Sequence, residues 1–254
     1  MKMRENRFKT RLKAGEVQYG IWAMLCSTAV TEIMGGSAFD WVLIDTEHAP
    51  NELPGIIDQI RALDTTDTPA LVRPAWNDTV LIKRLLDSGA ESFIIPFVQT
   101  AEEARAAVAA TRYPPQGVRG VAGVSRNAGY GRVATYLQEA ADHIAVVVQI
   151  ESREAMANLE EILAVEGVDA IFVGPADLAA SMGHLGNPGH PEVQAAIAEI
   201  AERVKAANGR MGIFTGGAED AARAAALGYH FMSVGADVMV FTRAIDALAA
   251  QVKG

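Results

Sequence analysis

Eight short apolar runs, each followed by a stretch with helical spacing, recur along the chain at nearly even intervals, and few folds can absorb that rhythm. The runs cover residues 18–24, 41–45, 70–73, 92–97, 144–150, 170–174, 211–215 and 231–235. They are apolar throughout rather than alternating, so both faces of the resulting sheet must be covered. Helical stretches with readable starts or stops separate them: 51–63, 78–87 ending at Gly89, 100–111, 152–164 ending near Gly167, and 218–227 ending at Gly228. Strands alternating with helices imply a parallel sheet, and eight such units imply a closed (β/α)₈ barrel. The 254-residue length is the usual size of that fold. No low-complexity linker divides the chain, so residues 1–254 are expected to form one α/β domain.

Composition narrows the function. Half of the residues are hydrophobic and 21% are charged, as in a folded globular protein. The formal net charge of −9 argues against nucleic-acid binding, which needs clustered Lys and Arg to displace counterions. No apolar run approaches the ~20 residues that span a bilayer. The single cysteine, Cys26, has no internal partner, and the basic segment 1–15 contains no apolar stretch of the secretory kind. A cytoplasmic protein with no membrane partner is expected. Phe8 and Leu12 lie one turn apart in the N-terminal segment, which reads as a short amphipathic helix docked on the body.

Two connections break the rhythm: residues 112–135, rich in Gly, Arg and Pro, and residues 175–191, with Gly183, Gly186 and Gly189. Long irregular segments inside a compact domain are more often functional than idle. The first belongs to an αβ connection, away from the face where barrel enzymes do chemistry.

In a barrel the chemistry sits where the strands end. Asp45, Glu47 and His48 follow the second strand, Arg73 the third, and Gln149 and Glu151 the fifth. Gly174, Pro175, Ala176 and Asp177 follow the sixth, with Thr215, Gly216 and Gly217 after the seventh and Gly235, Ala236 and Asp237 after the eighth. Glu151 and Asp177, from neighbouring strands, offer hard oxygen ligands for a divalent ion such as Mg²⁺ or Mn²⁺. They fit equally well as helix caps, Glu151 for a helix starting near Ser152 and Asp177 for a short helical turn. Arg73 presents a fork of donors to a carboxylate or oxyanion, or forms a salt bridge with a neighbouring acid. His48, oriented by Asp45 or by Asp87, is a candidate general base. Among the other histidines, His143 and His230 lie at strand beginnings, whereas His184 and His190 fall in a loop on the active face and either touch substrate or fold that loop.

None of the six lysines falls at a predicted strand end, which argues against a Schiff-base mechanism. Walker, nucleophile-elbow and dinucleotide-binding signatures do not occur either. Metal-assisted polarisation of an oxygen-rich small molecule is what these residues leave.

Asp45-Thr46-Glu47-His48, Arg73-Pro74, Gln149-Ile150-Glu151 and the run from Val173 to Gly183 (VGPADLAASMG) together resemble the HpcH/HpaI aldolases, metal-dependent class II pyruvate aldolases on barrels of the phosphoenolpyruvate/pyruvate type. The resemblance implies reversible cleavage of a 4-hydroxy-2-oxo acid to pyruvate and an aldehyde. The first candidate is 4-hydroxy-2-oxoheptanedioate, which gives succinic semialdehyde, followed by 2-dehydro-3-deoxyglucarate and 2-keto-3-deoxy-L-rhamnonate. It makes Glu151 and Asp177 the ligands of Mg²⁺, Mn²⁺ or Co²⁺, and places pyruvate against Gln149, the Gly174-Pro175-Ala176-Asp177 turn and Arg73. His48, held by Asp45 or Asp87, becomes the base, and oxaloacetate decarboxylation is expected as a side reaction. A homohexamer built as a trimer of dimers is also implied, with C-terminal helices exchanged and Arg119, Arg126 or Tyr130 approaching a neighbouring subunit's site. Ala176 stands where relatives carry Ser, so a hydroxyl is lost there while the backbone donor stays. A citrate-lyase-like or malyl-thioester lyase is the more distant reading, and the chain lacks a basic extended segment for coenzyme A.

Overall fold

The computed structural model describes residues 1–253. In chain order the first half runs α1 (Arg7–Ala14), β1 (Gln18–Ala23), α2 (Thr28–Gly35), β2 (Trp41–Asp45), α3 (Leu53–Leu63), β3 (Ala70–Arg73), α4 (Thr79–Ser88), β4 (Ser92–Ile95) and α5 (Ala101–Thr111). The second half runs α6 (Tyr136–His143), β5 (Ala145–Ile150), α7 (Arg153–Ala157), α8 (Leu159–Leu163), β6 (Ala170–Val173), α9 (Pro175–Ser181), α10 (Pro191–Ala206), β7 (Met211–Phe214), α11 (Ala218–Ala226), β8 (Phe231–Ala236) and α12 (Asp237–Lys253). All eight strands are parallel and pair in sequence order, and β1 closes the barrel on β8.

Two apolar layers hold this arrangement. Inside the barrel, Trp22, Trp41, Leu43, Leu71, Ile94, Val147, Phe172 and Phe231 fill the lumen. Room for the Trp41 ring exists because Gly20 faces it, since a Cβ at that position would lie 2.0 Å from the indole. Outside, Val42, Ile44, Val146, Val148, Ile171 and their neighbours pack against the helices. Burying that much apolar surface, at about 25 cal/mol per Å², is what offsets the chain's conformational entropy. The N-terminal amphipathic helix is a plug. Phe8 and Leu12 of α1 enter the lower mouth of the barrel, and the Phe8 ring meets Phe231 edge-on with centroids 5.3 Å apart.

Local signals explain most element ends. Asp78 caps α4 through the N–H groups of Val80 and Leu81, and Gly89 ends it with φ +116°. Thr100 and Glu103 form a reciprocal capping box on α5. The expected helix 152–164 is two short helices bent at Asn158, whose side chain leaves to donate to the Gln99 carbonyl at 2.9 Å. The expected strand 92–97 stops at Ile95, ahead of Pro96, and Phe97 turns into the left-handed region at φ +54°. Among the described residues, no helix is long and apolar enough to cross a membrane.

Candidate active site

The strand register creates the centre of the site. Asp45 and Arg73 are aligned partners on β2 and β3. Arg73 donates Nε–H to Asp45 Oδ1 at 2.8 Å and Nη2–H to Asp45 Oδ2 at 2.9 Å, a two-point clamp. Its guanidinium also lies 4.2 Å from the centroid of the Trp22 ring. With one edge locked, the arginine turns its remaining nitrogen toward the cavity, where Nη1 lies 2.8 Å from Glu47 Oε2 and 3.4 Å from Gln149 Oε1. Asp45 itself is fully buried and its Oδ1 also accepts the Glu47 N–H.

Gln149 links Arg73 to Glu151, because its amide nitrogen donates to Glu151 Oε2 at 2.8 Å. The other Glu151 oxygen accepts the N–H of Phe97 at 2.7 Å, and the left-handed backbone at Phe97 is what aims that N–H. Gly174 lies against the same carboxylate: a Cβ there would come within 2.4 Å of Glu151 Oε2. Neither helix-cap role is used. Ser152 caps α7 by accepting the Ala155 N–H, and α9 has no side-chain cap, leaving Asp177 exposed in its first turn.

The electrostatics follow from this crowding. Glu151 is 3% exposed, and burial pushes its carboxyl up to about 7, helped by the negative charges of Asp177 and Glu47. Burial also raises Glu47, against the pull of Arg73 and His48. Asp45, Glu47 and Glu151 thus gather around one arginine, two of whose nitrogens are already committed to Asp45, and the exposed Asp177 adds its negative charge beside Glu47 and Glu151. Such a surplus of buried negative charge is stable only with an added cation or a retained proton. The oxygen-only donor set of Glu151 and Asp177 fits a hard divalent ion.

Two expected pairings do not form. His48 is held by neither Asp45 nor Asp87: both Asp45 oxygens are on Arg73, and Asp87, in the last turn of α4 at the far end of the barrel, pairs with Arg119 at 2.9 Å. The carboxylate beside the exposed His48 is Glu47, with Nε2 and Oε2 3.9 Å apart. Within the chain Arg119 is completely buried between Tyr113 and Tyr136 and donates to the Tyr136 hydroxyl. Arg126 is paired with Asp64, while Tyr130 is exposed. Sequence reasoning noticed Glu47 at the rim but gave it no role. Trp22 and the Phe97 N–H were missed, since nothing in a non-glycine residue announces a left-handed backbone.

A parallel barrel whose strand ends gather carboxylates, an arginine and a histidine defines a barrel enzyme whose site suits a hard divalent ion and an oxygen-rich small molecule. Comparison makes the assignment specific. The HpcH/HpaI aldolase/citrate lyase family model matches residues 18–244. The 4-hydroxy-2-oxo-heptane-1,7-dioate aldolase of Klebsiella pneumoniae subsp. pneumoniae is 49% identical over 97% of this chain and 93% of its own. Among solved structures, an HpcH/HpaI aldolase/citrate lyase family protein from Burkholderia cenocepacia J2315 superposes with a TM-score of 0.94 at 40% identity, covering 98% of this chain and all of that one. The HpcH/HpaI aldolase from Desulfitobacterium hafniense DCB-2 gives 0.89 at 31%, with 96% of each chain covered. The chain belongs to the HpcH/HpaI aldolase/citrate lyase family, acts on small molecules and depends on a divalent metal ion.

Proposed function

We propose that the whole chain works as one barrel domain that cleaves 4-hydroxy-2-oxo acids reversibly to pyruvate and an aldehyde, with 4-hydroxy-2-oxoheptanedioate and succinic semialdehyde as the first pair to test. The observation that carries this reading is the buried Glu151 carboxylate, set among further acids and tied through Gln149 to a clamped Arg73. Glu151 and Asp177 would hold the divalent ion, Mg²⁺, Mn²⁺ or Co²⁺, which supplies positive charge that polarises the keto group.

The remaining work falls to the chain's own groups. In α9 the first helical hydrogen bond runs from the Leu178 N–H to the Gly174 carbonyl, so the N–H groups of Ala176 and Asp177 precede it and are free for the substrate carboxylate. Gly174 and Pro175 shape the approach to those donors, and Gln149 keeps Glu151 and Arg73 in register. His48 takes the proton of the C4 hydroxyl. The O–H electrons form the aldehyde C=O, the C3–C4 bond breaks, its electron pair becomes the C2=C3 double bond, and the keto π pair moves onto oxygen to give the enolate of pyruvate. Arg73 Nη1, preorganised by the Asp45 clamp, faces the oxygen on which that charge develops. A proton delivered to C3 then completes pyruvate. Oxaloacetate decarboxylation passes through the same enolate without a C4 hydroxyl, so it needs Arg73 and not His48.

A homohexamer built as a trimer of dimers, with exchanged C-terminal helices, is part of the proposal. It is supported by α12, which exposes Val240, Phe241, Ile245, Leu248 and Val252 and buries only Asp237. A cytoplasmic location, with pyruvate and aldehydes as partners, belongs to the same proposal and accords with the single free cysteine, Cys26.

EDTA should abolish pyruvate release from 4-hydroxy-2-oxoheptanedioate, and Mg²⁺, Mn²⁺ or Co²⁺ should restore it. Inactivation by borohydride in the presence of substrate, with no effect of EDTA, would overturn the reading.

A further inference from the structure

We propose that His184, His190 and Glu192 form a second metal site, selective for a borderline transition-metal ion such as Zn²⁺ and separate from the catalytic cavity. The three residues stand where α9 turns into α10, and one ligand atom from each lies within 4.8 Å of the others. His184 Nε2 is 3.0 Å from Glu192 Oε2, and the two imidazoles stack with centroids 3.5 Å apart at 15°.

The loop presents these groups already ordered. His184 N–H donates to the Ala179 carbonyl at 2.7 Å, Asn187 N–H to the His184 carbonyl at 2.9 Å, and His190 N–H to the Asn187 carbonyl at 3.1 Å. The Gln194 side chain closes the turn on the Pro188 carbonyl at 2.8 Å. A cation therefore meets ligands carried on an ordered backbone, and the two stacked rings have to open so that their in-plane lone pairs converge on it. A bound ion takes the place of the 3.0 Å hydrogen bond between His184 Nε2 and Glu192 Oε2, and of the weaker 3.3 Å contact from the Glu192 N–H to His190 Nδ1. Neither histidine is bonded to Glu47, His48, Arg73 or Glu151; their polar partners are each other's neighbours in this loop. The donor set decides the ion. Two imidazole nitrogens and one carboxylate suit Zn²⁺, whereas the oxygen-only pair Glu151 and Asp177 suits Mg²⁺.

The test uses the full-length protein stripped with EDTA and dialysed against Zn²⁺ or Mg²⁺ alone, with bound metal counted by elemental analysis. In a Glu151→Gln background one Zn²⁺ per chain should remain and no Mg²⁺. Adding His184→Asn, which leaves the α10 cap intact, or His190→Gln should weaken the remaining Zn²⁺ by at least about tenfold. In parallel, the otherwise unaltered chain should hold two Zn²⁺, and one after His184→Asn, so the result does not hang on one variant's folding. Zn²⁺ bound equally well with and without His184→Asn and His190→Gln overturns the second site. Equal Zn²⁺ counts in the unaltered and Glu151→Gln proteins overturn the catalytic-metal reading instead.

Discussion

Both ends of the barrel bury charge, and they do so in opposite ways. At the lower end two buried cations each have a carboxylate partner. Lys9 lies 3.1 Å from Asp169 and donates to the Ile144 carbonyl at 2.6 Å, while Arg119 pairs with Asp87 between two tyrosine rings. At the upper end three carboxylates, Asp45, Glu47 and Glu151, share Arg73, and Asp177 adds its charge beside them. A paired charge fixes a structure, as the lower end of a barrel is expected to do, whereas an unmatched excess leaves room for a ligand. The contrast separates residues that hold the fold from residues that wait for substrate and metal.

The largest effect should come from removing the excess at its most buried point. Glu151→Gln should lower kcat for aldol cleavage by about 10³-fold or more, the scale expected for loss of a preorganised electrostatic stabiliser, while leaving the metal-free protein at least as stable. Asp169→Asn should do the reverse, because stranding Lys9 in a buried pocket costs about 3 kcal/mol or more of stability while kcat stays near its original value. Chemical denaturation and steady-state kinetics on the two variants check this. A stability loss in Glu151→Gln that matched Asp169→Asn would erase the distinction between the two ends.

Within the upper end, Arg73 and His48 should differ in what they cost. Arg73→Lys loses the two-point clamp and should reduce both aldol cleavage and oxaloacetate decarboxylation by about 10²-fold. His48→Ala should reduce cleavage by a comparable factor, about 10²-fold, and decarboxylation much less. Parallel assays of the two reactions read the difference, and equal losses for His48→Ala would take the base role from it.

How much of this contrast could be seen in the sequence depends on distance along the chain. The strands were legible because each is apolar throughout, and the strand-end rule then put Glu151, Asp177, Arg73 and His48 on one rim. Pairing across strands was not. Asp45 is three residues from His48 and twenty-eight from Arg73, yet the register of β2 and β3 gives it to the arginine. For Asp87 a signal existed, since a residue in the last turn of a barrel helix belongs at the end away from the chemistry. Phe97 had none: only the folded backbone shows that its N–H is turned onto Glu151. The exposed apolar face of α12 was also hidden, because a stripe that packs within the chain and one left uncovered have the same spacing.

The pH dependence of stability gives a subtler measure of the unmatched charge. Below about pH 4.5, the ordinary glutamate value, Glu151 is protonated whether the chain is folded or not. Between about 4.5 and 7 the unfolded chain ionises while the folded one keeps its proton, so each pH unit removes about 1.4 kcal/mol. The metal-free protein should therefore lose about 3 kcal/mol on going from pH 4.5 to 7, with the loss persisting above pH 7. Saturating Mg²⁺ should recover it at pH 8, because the ion binds the ionised form. Urea titrations in EDTA and in Mg²⁺ follow both effects, and a Glu151→Gln protein with the same pH slope would assign the loss to another group.

The smallest expected effect tests the boundary between cap and ligand at adjacent residues. Ser152 accepts the Ala155 N–H at 3.0 Å and donates to Gln99 Oε1 at 2.9 Å, so the start of α7 is secured without Glu151. Ser152→Ala should cost about 1 kcal/mol, the usual worth of a cap, and leave metal affinity within about threefold, because the Phe97 N–H and Gln149, not Ser152, hold the Glu151 carboxylate. Denaturation midpoints and metal titration separate the two quantities. A Ser152→Ala protein that bound metal as poorly as Glu151→Gln would mean that the helix start and the metal site are one mechanical unit. The carboxylate would then owe its position to the cap rather than to the Phe97 N–H and Gln149.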